Sequence, residues 1–184
     1  MRVIAGALKG RRLAPVKGLM RPTGAKVREA IFNILGDAVA DARVLDLFAG
    51  TGALGIEALS RGAKEAVFVE DHPESLKVLG RNLAHLDLEA QTRVLPVAVP
   101  GALKKLTARG EKFDLAFLDP PYGGGKAAAA LQALSAAGLM APGAWVVAEH
   151  GRRDHLPEAA GGFQRRELRR YGDTQVAFYQ AAEE

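Results

Sequence analysis

Asp119-Pro120-Pro121-Tyr122 follows directly on the apolar run Leu115 to Leu118, so a buried strand is expected to end in an acid, two stiff residues and an aromatic ring. That set suits a reaction at a planar NH2 group. Proline fixes its own φ and biases the residue before it towards extended geometry, which would hold the Asp119 carboxylate and the Pro120 carbonyl as two preset acceptors. An exocyclic amine offers two matching donors. Tyr122 then supplies a face for the attached base, an interaction typically worth ~1–3 kcal/mol per base. Taken alone, the tetrapeptide reads equally well as a rigid strand-to-loop turn.

A second group, Asp46-Leu47-Phe48-Ala49-Gly50-Thr51-Gly52-Ala53-Leu54-Gly55, stands between an apolar run and a helical stretch. Gly50, Gly52 and Gly55 form GxGxxG, which admits close approach of a ligand to the backbone or simply makes a tight strand-to-helix turn. Glu70, with Asp71 after it, ends the next apolar run and is placed to accept hydrogen bonds from ribose hydroxyls. NAD and S-adenosylmethionine would both accept that arrangement. Asp46 separates them, because a carboxylate there repels a pyrophosphate and attracts a methionine ammonium.

Short β-rich runs alternating with helical stretches are expected to position these groups, which argues for an α/β, doubly wound, mostly parallel sheet. Candidate strands are Arg43 to Leu47, Ala66 to Glu70, Arg93 to Val97, Asp114 to Leu118 and Ala144 to Glu149. Candidate helices are Leu54 to Arg61, Pro73 to Leu86, Ala102 to Ala108 and the alanine-rich Lys126 to Ala136. Gln164 to Tyr171 and Thr174 to Gln180 flank Gly172-Asp173 as a closing C-terminal antiparallel hairpin. Ahead of the core, Arg2 to Ala5 and Arg11 to Ala14 read as a small basic β-hairpin, and Ala25 to Val39 as an amphipathic helix. We expect a single domain, with residues 1–40 an extension of a core spanning 41–184.

The 184 residues suffice for one sizeable core. The absence of cysteine excludes a disulfide framework and the commonest soft zinc ligands, and no metal site is expected. No long apolar stretch suggests a membrane span, so the expected location is cytoplasmic. Charge is unevenly placed. Arg2, Lys9, Arg11, Arg12, Lys17, Arg21, Lys26 and Arg28 precede the first acid, a pattern that favours a polyanion such as nucleic acid. Arg152, Arg153, Arg165, Arg166, Arg169 and Arg170 are interspersed with Asp154, Glu158 and Glu167, and read as an ordinary solvated surface. His72, His85, His150 and His155 are isolated in sequence; Glu149-His150 at the end of the fifth candidate strand faces the ligand side of such a sheet, which keeps only His150 as a minor candidate.

Asp46, Gly50, Gly52, Glu70 and Asp119-Pro120-Pro121-Tyr122, in that order, resemble class I S-adenosylmethionine-dependent methyltransferases, with a (D/N)PP(Y/F) signature typical of enzymes acting on exocyclic or amide nitrogen. Arg21-Pro22-Thr23, Val27 to Asn33, Gly10-Arg11 and Asp46 to Gly62 together resemble the RsmD family, over essentially the whole chain. The resemblance implies methyl transfer from S-adenosylmethionine to guanine N2 of bacterial small-subunit (16S) ribosomal RNA, free or within a partly assembled 30S particle, by a monomer. It places Asp119, Pro120 and Tyr122 at the target amine. Asp46, Phe48, Gly50, Gly52, Glu70, Asp71, Ala98, Asp119 and Thr23 would face the cofactor, and the basic N-terminal residues the RNA. Arg21, Thr23 and Lys26 would close over the methionine carboxylate, unless Thr23 serves as a helix N-cap. The chain departs from the family at Ala25, where an acid is frequent, and at Val97-Ala98-Val99, which leaves adenine to backbone groups. Asp119 is expected to be an ordinary carboxylate and hence a weak base. Rival readings are an adenine-N6 methyltransferase on DNA or RNA, a non-catalytic nucleic-acid-binding module, and a nicotinamide-dependent dehydrogenase.

Overall fold

Four runs with apolar residues at nearly every position become the centre of the parallel core, since a strand covered on both faces has no polar side to present, and a fifth, Thr92–Leu95, lies half-buried at its edge. The computed structural model describes residues 1–18 and 23–183. Along the chain the elements are α1 (Ala25–Leu35), β1 (Arg43–Leu47), α2 (Ala53–Ser60), β2 (Glu65–Val69), α3 (Pro73–His85), β3 (Thr92–Leu95), α4 (Val99–Ala108), β4 (Phe113–Leu118), α5 (Lys126–Ala137), β5 (Met140–Gly151), β6 (Ala159–Ala160), β7 (Phe163–Tyr171) and β8 (Thr174–Ala181). Among the described residues they build one eight-stranded sheet in the order β3-β2-β1-β4-β5-β8-β7-β6. Pairings from β3 to β5 are parallel, and β5-β8, β8-β7 and β7-β6 are antiparallel. The chain reverses its winding direction beside β1 and β4, so their C-terminal ends open a crevice. Asp46 to Gly50 and Asp119 to Tyr122 leave the sheet at those ends.

Alternation along the strands divides the core into two apolar layers. Val44, Phe68, Leu115, Phe117, Val147 and Phe178 face α1, α2 and α3, while Leu45, Leu47, Val67, Ala116, Val146 and Tyr179 face α4 and α5. Val3, Leu13, Ile31 and Phe32 belong to the first layer, so the basic N-terminal segment is anchored by its own apolar residues.

Several element boundaries differ from expectation for identifiable reasons. The helix expected over 25–39 ends at Leu35, where Gly36 turns to positive φ and a 3-10 turn follows. Helix α4 begins three residues early because Pro100 sits in its first turn, where a missing N–H costs nothing. Strand β5 extends to Met140–Gly151 because Met140 pairs with Phe113 of β4 at one end and β8 pairs along Trp145 to Gly151 at the other. The N-terminal hairpin narrows to one antiparallel bridge, Arg2 with Arg12, flanked by Val3 N–H to the Arg11 carbonyl (2.9 Å) and Leu13 N–H to the Met1 carbonyl (2.9 Å).

A buried acid explains how that segment is held. Glu57, in the middle of α2, accepts the N–H groups of Ile4 (2.9 Å) and Ala5 (3.0 Å), and its other partners are Arg61 (2.9 Å) and Arg28 (3.7 Å). Ser60 accepts Leu8 N–H at 3.0 Å, and Asn82 of α3 accepts Ala14 N–H at 2.8 Å while donating to the Thr51 carbonyl of the glycine loop at 3.0 Å. Asn82 therefore couples the N-terminal segment to the loop that follows β1.

Candidate active site

The glycine loop works by two different means. At Gly55 an added Cβ would lie 2.4 Å from the Phe68 ring and 3.1 Å from the Asp46 carboxylate, so α2 packs too closely on the sheet for any side chain. Gly50 has φ +56 and open space where a side chain would stand, which leaves its backbone approachable. Phe48 also adopts positive φ, 63°, an uncommon conformation for a bulky residue that costs on the order of 1–3 kcal/mol. Its ring forms part of two adjoining cavities.

The larger cavity, about 480 Å³, is lined by Thr23, Asp46, Phe48, Gly50, Glu70, Asp119 and Tyr122, among others. Its neighbour, about 420 Å³ and mostly apolar, takes Phe48, Glu70 and Asp71 as a common wall and continues to Val97, Ala98, Val99 and Pro100 at the start of α4. Ala98 is the residue preceding that helix, so unpaired first-turn N–H groups face the side where Ala98 was expected to act. Glu70 is held rigidly: Oε2 accepts Gly50 N–H at 2.8 Å, and Oε1 accepts the N–H groups of Asp71 (2.9 Å) and His72 (2.8 Å). Gly52 is the αL residue that precedes α2, and its N–H closes the loop onto the Ala49 carbonyl at 2.8 Å.

Asp46 is buried with one hydrogen-bond donor, Gly55 N–H at 3.0 Å, and no cation pairs with it among the described residues. Burial, with the charge of Glu70 adding to it, pushes its carboxyl up to about 8. A buried acid so poorly compensated is suited to an incoming cation.

Asp119 stands one residue beyond β4 and Glu149 near the end of β5, brought level by the register Leu118 to Ala148. The Thr23 hydroxyl lies between them, 2.9 Å from Asp119 Oδ2 and 2.6 Å from Glu149 Oε2. Burial raises the pKa of both carboxyls, and for Asp119 the charge of Glu149 raises it further. Asp119 is thus not the ordinary carboxylate expected from sequence. Nor is Thr23 the helix cap: Gly24 precedes α1 without a side-chain cap, and the Thr23 hydroxyl is engaged by the two acids.

The Tyr122 hydroxyl lies 3.0 Å from Glu149 Oε1 and 2.5 Å from the Thr174 hydroxyl, and either hydroxyl can donate in the second bond. The Tyr122 ring is 46% exposed, alone among the described large apolar side chains, as a stacking platform needs to be. Burial and the acids around it push its phenol up to about 12, so it stays neutral. Pro120 is buried beside Asp119, and Pro121 lines the cavity mouth.

Of the residues expected to meet RNA, Arg2, Lys9, Arg11, Arg12 and Lys26 are exposed. Arg21 lies outside the described residues. Arg28 is a correction: it is 1% exposed, bonds the Arg2 carbonyl at 2.6 Å and faces Glu57, so its charge serves the interior. Glu149, expected on the ligand side but not assigned to the site, was passed over because nothing in the sequence shows which acid the sheet sets beside Asp119. The one available signal was its place at the end of a fully apolar strand.

This fold, with an acid and glycine loop after β1 and an acid-led tetrapeptide after β4, is that of the class I methyltransferases. A family model described as Conserved hypothetical protein 95 matches residues 1–180, and the chain belongs to that family, the RsmD family. YlbH of Bacillus subtilis is 41% identical over 180 residues, 97% of this chain and 98% of that one. An Escherichia coli relative named Ribosomal RNA small subunit methyltransferase D is 33% identical over 181 residues, 98% of this chain and 89% of that one. The solved yhhF chain of E. coli superposes with a TM-score of 0.86 at 33% identity, covering 100% of this chain and 99% of that chain.

Proposed function

We propose that the chain transfers a methyl group from S-adenosylmethionine to the exocyclic N2 of a guanine in 16S ribosomal RNA. It would act in the cytoplasm, as a monomer, on free RNA or on a partly assembled 30S particle. Among the described residues no helix is long and apolar enough to cross a membrane. One observation carries the reading: the exposed Tyr122 ring and Asp119 stand at the same cavity as Asp46, Gly50 and Glu70, so a stacked base and a cofactor would meet there. The name of the E. coli relative supports the RNA class, and the family resemblance supports guanine N2.

The residues present fit the cofactor. The poorly compensated carboxylate of Asp46 suits an ammonium, Glu70 retains acceptor capacity for ribose hydroxyls, and the apolar cavity beside Val97 to Pro100 suits adenine. When bound, S-adenosylmethionine supplies a methyl group already activated by its sulfonium. The chain's task is to align and improve a poor nucleophile. Tyr122 stacks the base taken out of its helix, and Asp119 with the Pro120 carbonyl accepts the two N–H groups of the amine. Those bonds would favour pyramidal nitrogen, whose lone pair would form the new N–C bond as the methyl–sulfur bond breaks with its electron pair left on sulfur. The nitrogen would shed one proton, and an ionised carboxylate whose pKa desolvation has raised is a better acceptor for it than a solvated one.

The test is mass mapping of modified nucleosides in ribosomal RNA from cells lacking the gene, together with transfer by the purified chain. Loss of one N2-methylguanosine, restored in vitro, is the expected result. A missing N6-methyladenosine would move the target to adenine, and an unchanged modification map would overturn the assignment.

A further inference from the structure

The C-terminal arginines, expected from sequence to be a solvated surface, are organised by a defect in the sheet. Strand β7 pairs with β8 as Arg165 to Tyr179 and then Glu167 to Phe178, leaving Arg166 as an extra residue in a β-bulge. Without the bulge, Arg165 and Arg170, one odd and one even, would point to opposite faces. With it, Phe163, Arg165, Leu168 and Arg170 share the face that carries Tyr179 and Ala177. Bulges re-aim side chains in this way and are over-represented beside active sites.

On that face the register sets His150, Gln175 and Arg170 side by side across β5, β8 and β7. With Arg152, Asp154 and Arg165 they enclose a basin of about 440 Å³. Arg165 is fixed by the Leu156 carbonyl at 3.0 Å and by Glu158 at 3.4 Å, whereas the guanidinium groups of Arg152 and Arg170 have no partner among the described residues. His150, 2% exposed, spends Nδ1 on the Gly151 carbonyl at 3.1 Å and leaves Nε2 buried without a partner. The basin therefore holds two unpaired guanidiniums, Arg152 and Arg170, beside an Arg165 already paired with Glu158, against the single lining acid Asp154. That acid, Asp154, is itself occupied by the N–H groups of Gly123 (3.1 Å) and Gly151 (3.3 Å).

Those bonds to Asp154 also fix the basin's place. Gly123 follows Tyr122 in sequence, and a Cβ at Gly151 would be 3.5 Å from the Tyr122 ring. The basin thus adjoins the stacking platform, on the opposite face of the sheet from Glu149. We propose that it binds a phosphate of the RNA strand that carries the target base, holding the backbone next to the nucleotide stacked on Tyr122. This rests on the RNA reading of the site above. A guanidinium pair with two free forks matches phosphate oxygens better than any other common anion in a nucleic-acid complex.

The experiment compares two double variants that each remove two positive charges from exposed positions, R152Q/R170Q within the basin and R153Q/R166Q outside its lining. Binding of purified 16S ribosomal RNA is followed across a salt titration, with methyl transfer to that RNA and to 30S particles measured in parallel. The basin variant is expected to weaken RNA binding roughly tenfold and to flatten the log–log salt slope by about 0.7–0.9 for each phosphate no longer neutralised. Its S-adenosylmethionine affinity should equal wild type, and the R153Q/R166Q variant should change RNA binding far less. Equal losses in the two variants, or none in either, would overturn the basin while leaving the methyltransferase reading intact. A wild-type chain that neither binds nor methylates RNA would remove the reading beneath it, and the inference with it.

Discussion

Asp119 and Glu149 approach a single hydroxyl, that of Thr23, from two strands: its oxygen lies 2.9 Å from one carboxyl and 2.6 Å from the other. One hydroxyl hydrogen cannot serve two ionised acids. Burial raises the pKa of both acids, and the charge of Glu149 raises that of Asp119 further, so a proton on one favours ionisation of the other. If Asp119 takes the proton of the target amine as proposed, Glu149 would influence the pH at which it can do so. In Glu149→Gln the neighbouring charge is gone, and Asp119 should ionise at lower pH, although burial still keeps it above an ordinary carboxylate. The rising limb of single-turnover methyl transfer should move towards acid. A profile that stays in place would remove Glu149 from the proton balance.

In the proposed mechanism Asp119 would act chiefly when the amine becomes pyramidal, so its loss should appear in turnover and not in cofactor affinity. Asp119→Ala is expected to lower kcat by roughly a hundredfold or more, the usual cost of ~3 kcal/mol for an acceptor used in the transition state. Calorimetric S-adenosylmethionine affinity should remain within a few-fold. Glu70→Ala should show the reverse, because Glu70 holds Gly50, Asp71 and His72 in the loop conformation the cofactor meets.

What the sequence revealed follows from how local each signal is. Strands β1 and β4 were legible because burial on both faces leaves continuous apolar runs, and the acids ending them were legible as chemistry. Glu149 depends on the β4-β5 register, which no local pattern encodes. Arg28 resembled its basic neighbours, yet Glu57 inside the apolar helix ALGIEALS was a sign that some cation is buried against it. Arg165 and Arg170 obey strict alternation on paper, and only the bulge at Arg166 puts them on one face.

Asp46 links cofactor binding to pH. Its carboxyl is pushed up to about 8 by burial, so in the free chain near neutral pH it is largely protonated. Because the folded value exceeds the unfolded one, the stability it contributes is complete below the ordinary carboxylate range and is lost as pH rises towards about 8. Asp46→Asn should therefore raise the melting temperature of the ligand-free chain at pH 8 more than at pH 5, by roughly 2–4 °C for each kcal/mol relieved. A bound ammonium favours the ionised acid, so wild-type affinity should climb with pH as a proton is released. The variant should bind S-adenosylmethionine at least tenfold more weakly and release less proton; equal proton release in the two would refute the link.

Arg28 and its exposed neighbours should separate stability from RNA binding. Reversing the charges of Lys9, Arg11 and Arg12, all exposed, is expected to lower RNA affinity and to reduce the salt slope by about 0.7–0.9 for each phosphate no longer neutralised, without altering cofactor affinity. Arg28→Ala should act in the opposite sense. Removing one partner of a buried pair leaves the Glu57 charge with less compensation and typically costs about 3–5 kcal/mol, here reduced because Ile4 N–H, Ala5 N–H and Arg61 still bind that carboxylate. Its melting temperature should fall while the RNA salt slope, measured on the folded chain, stays at the wild-type value. Hydrogen exchange should place the loss at Ile4 and Ala5, whose amides Glu57 holds. If Arg28→Ala flattened the salt slope as the triple reversal does, Arg28 would have to reach RNA after all, and the closed geometry around Glu57 would not describe the chain in its complex.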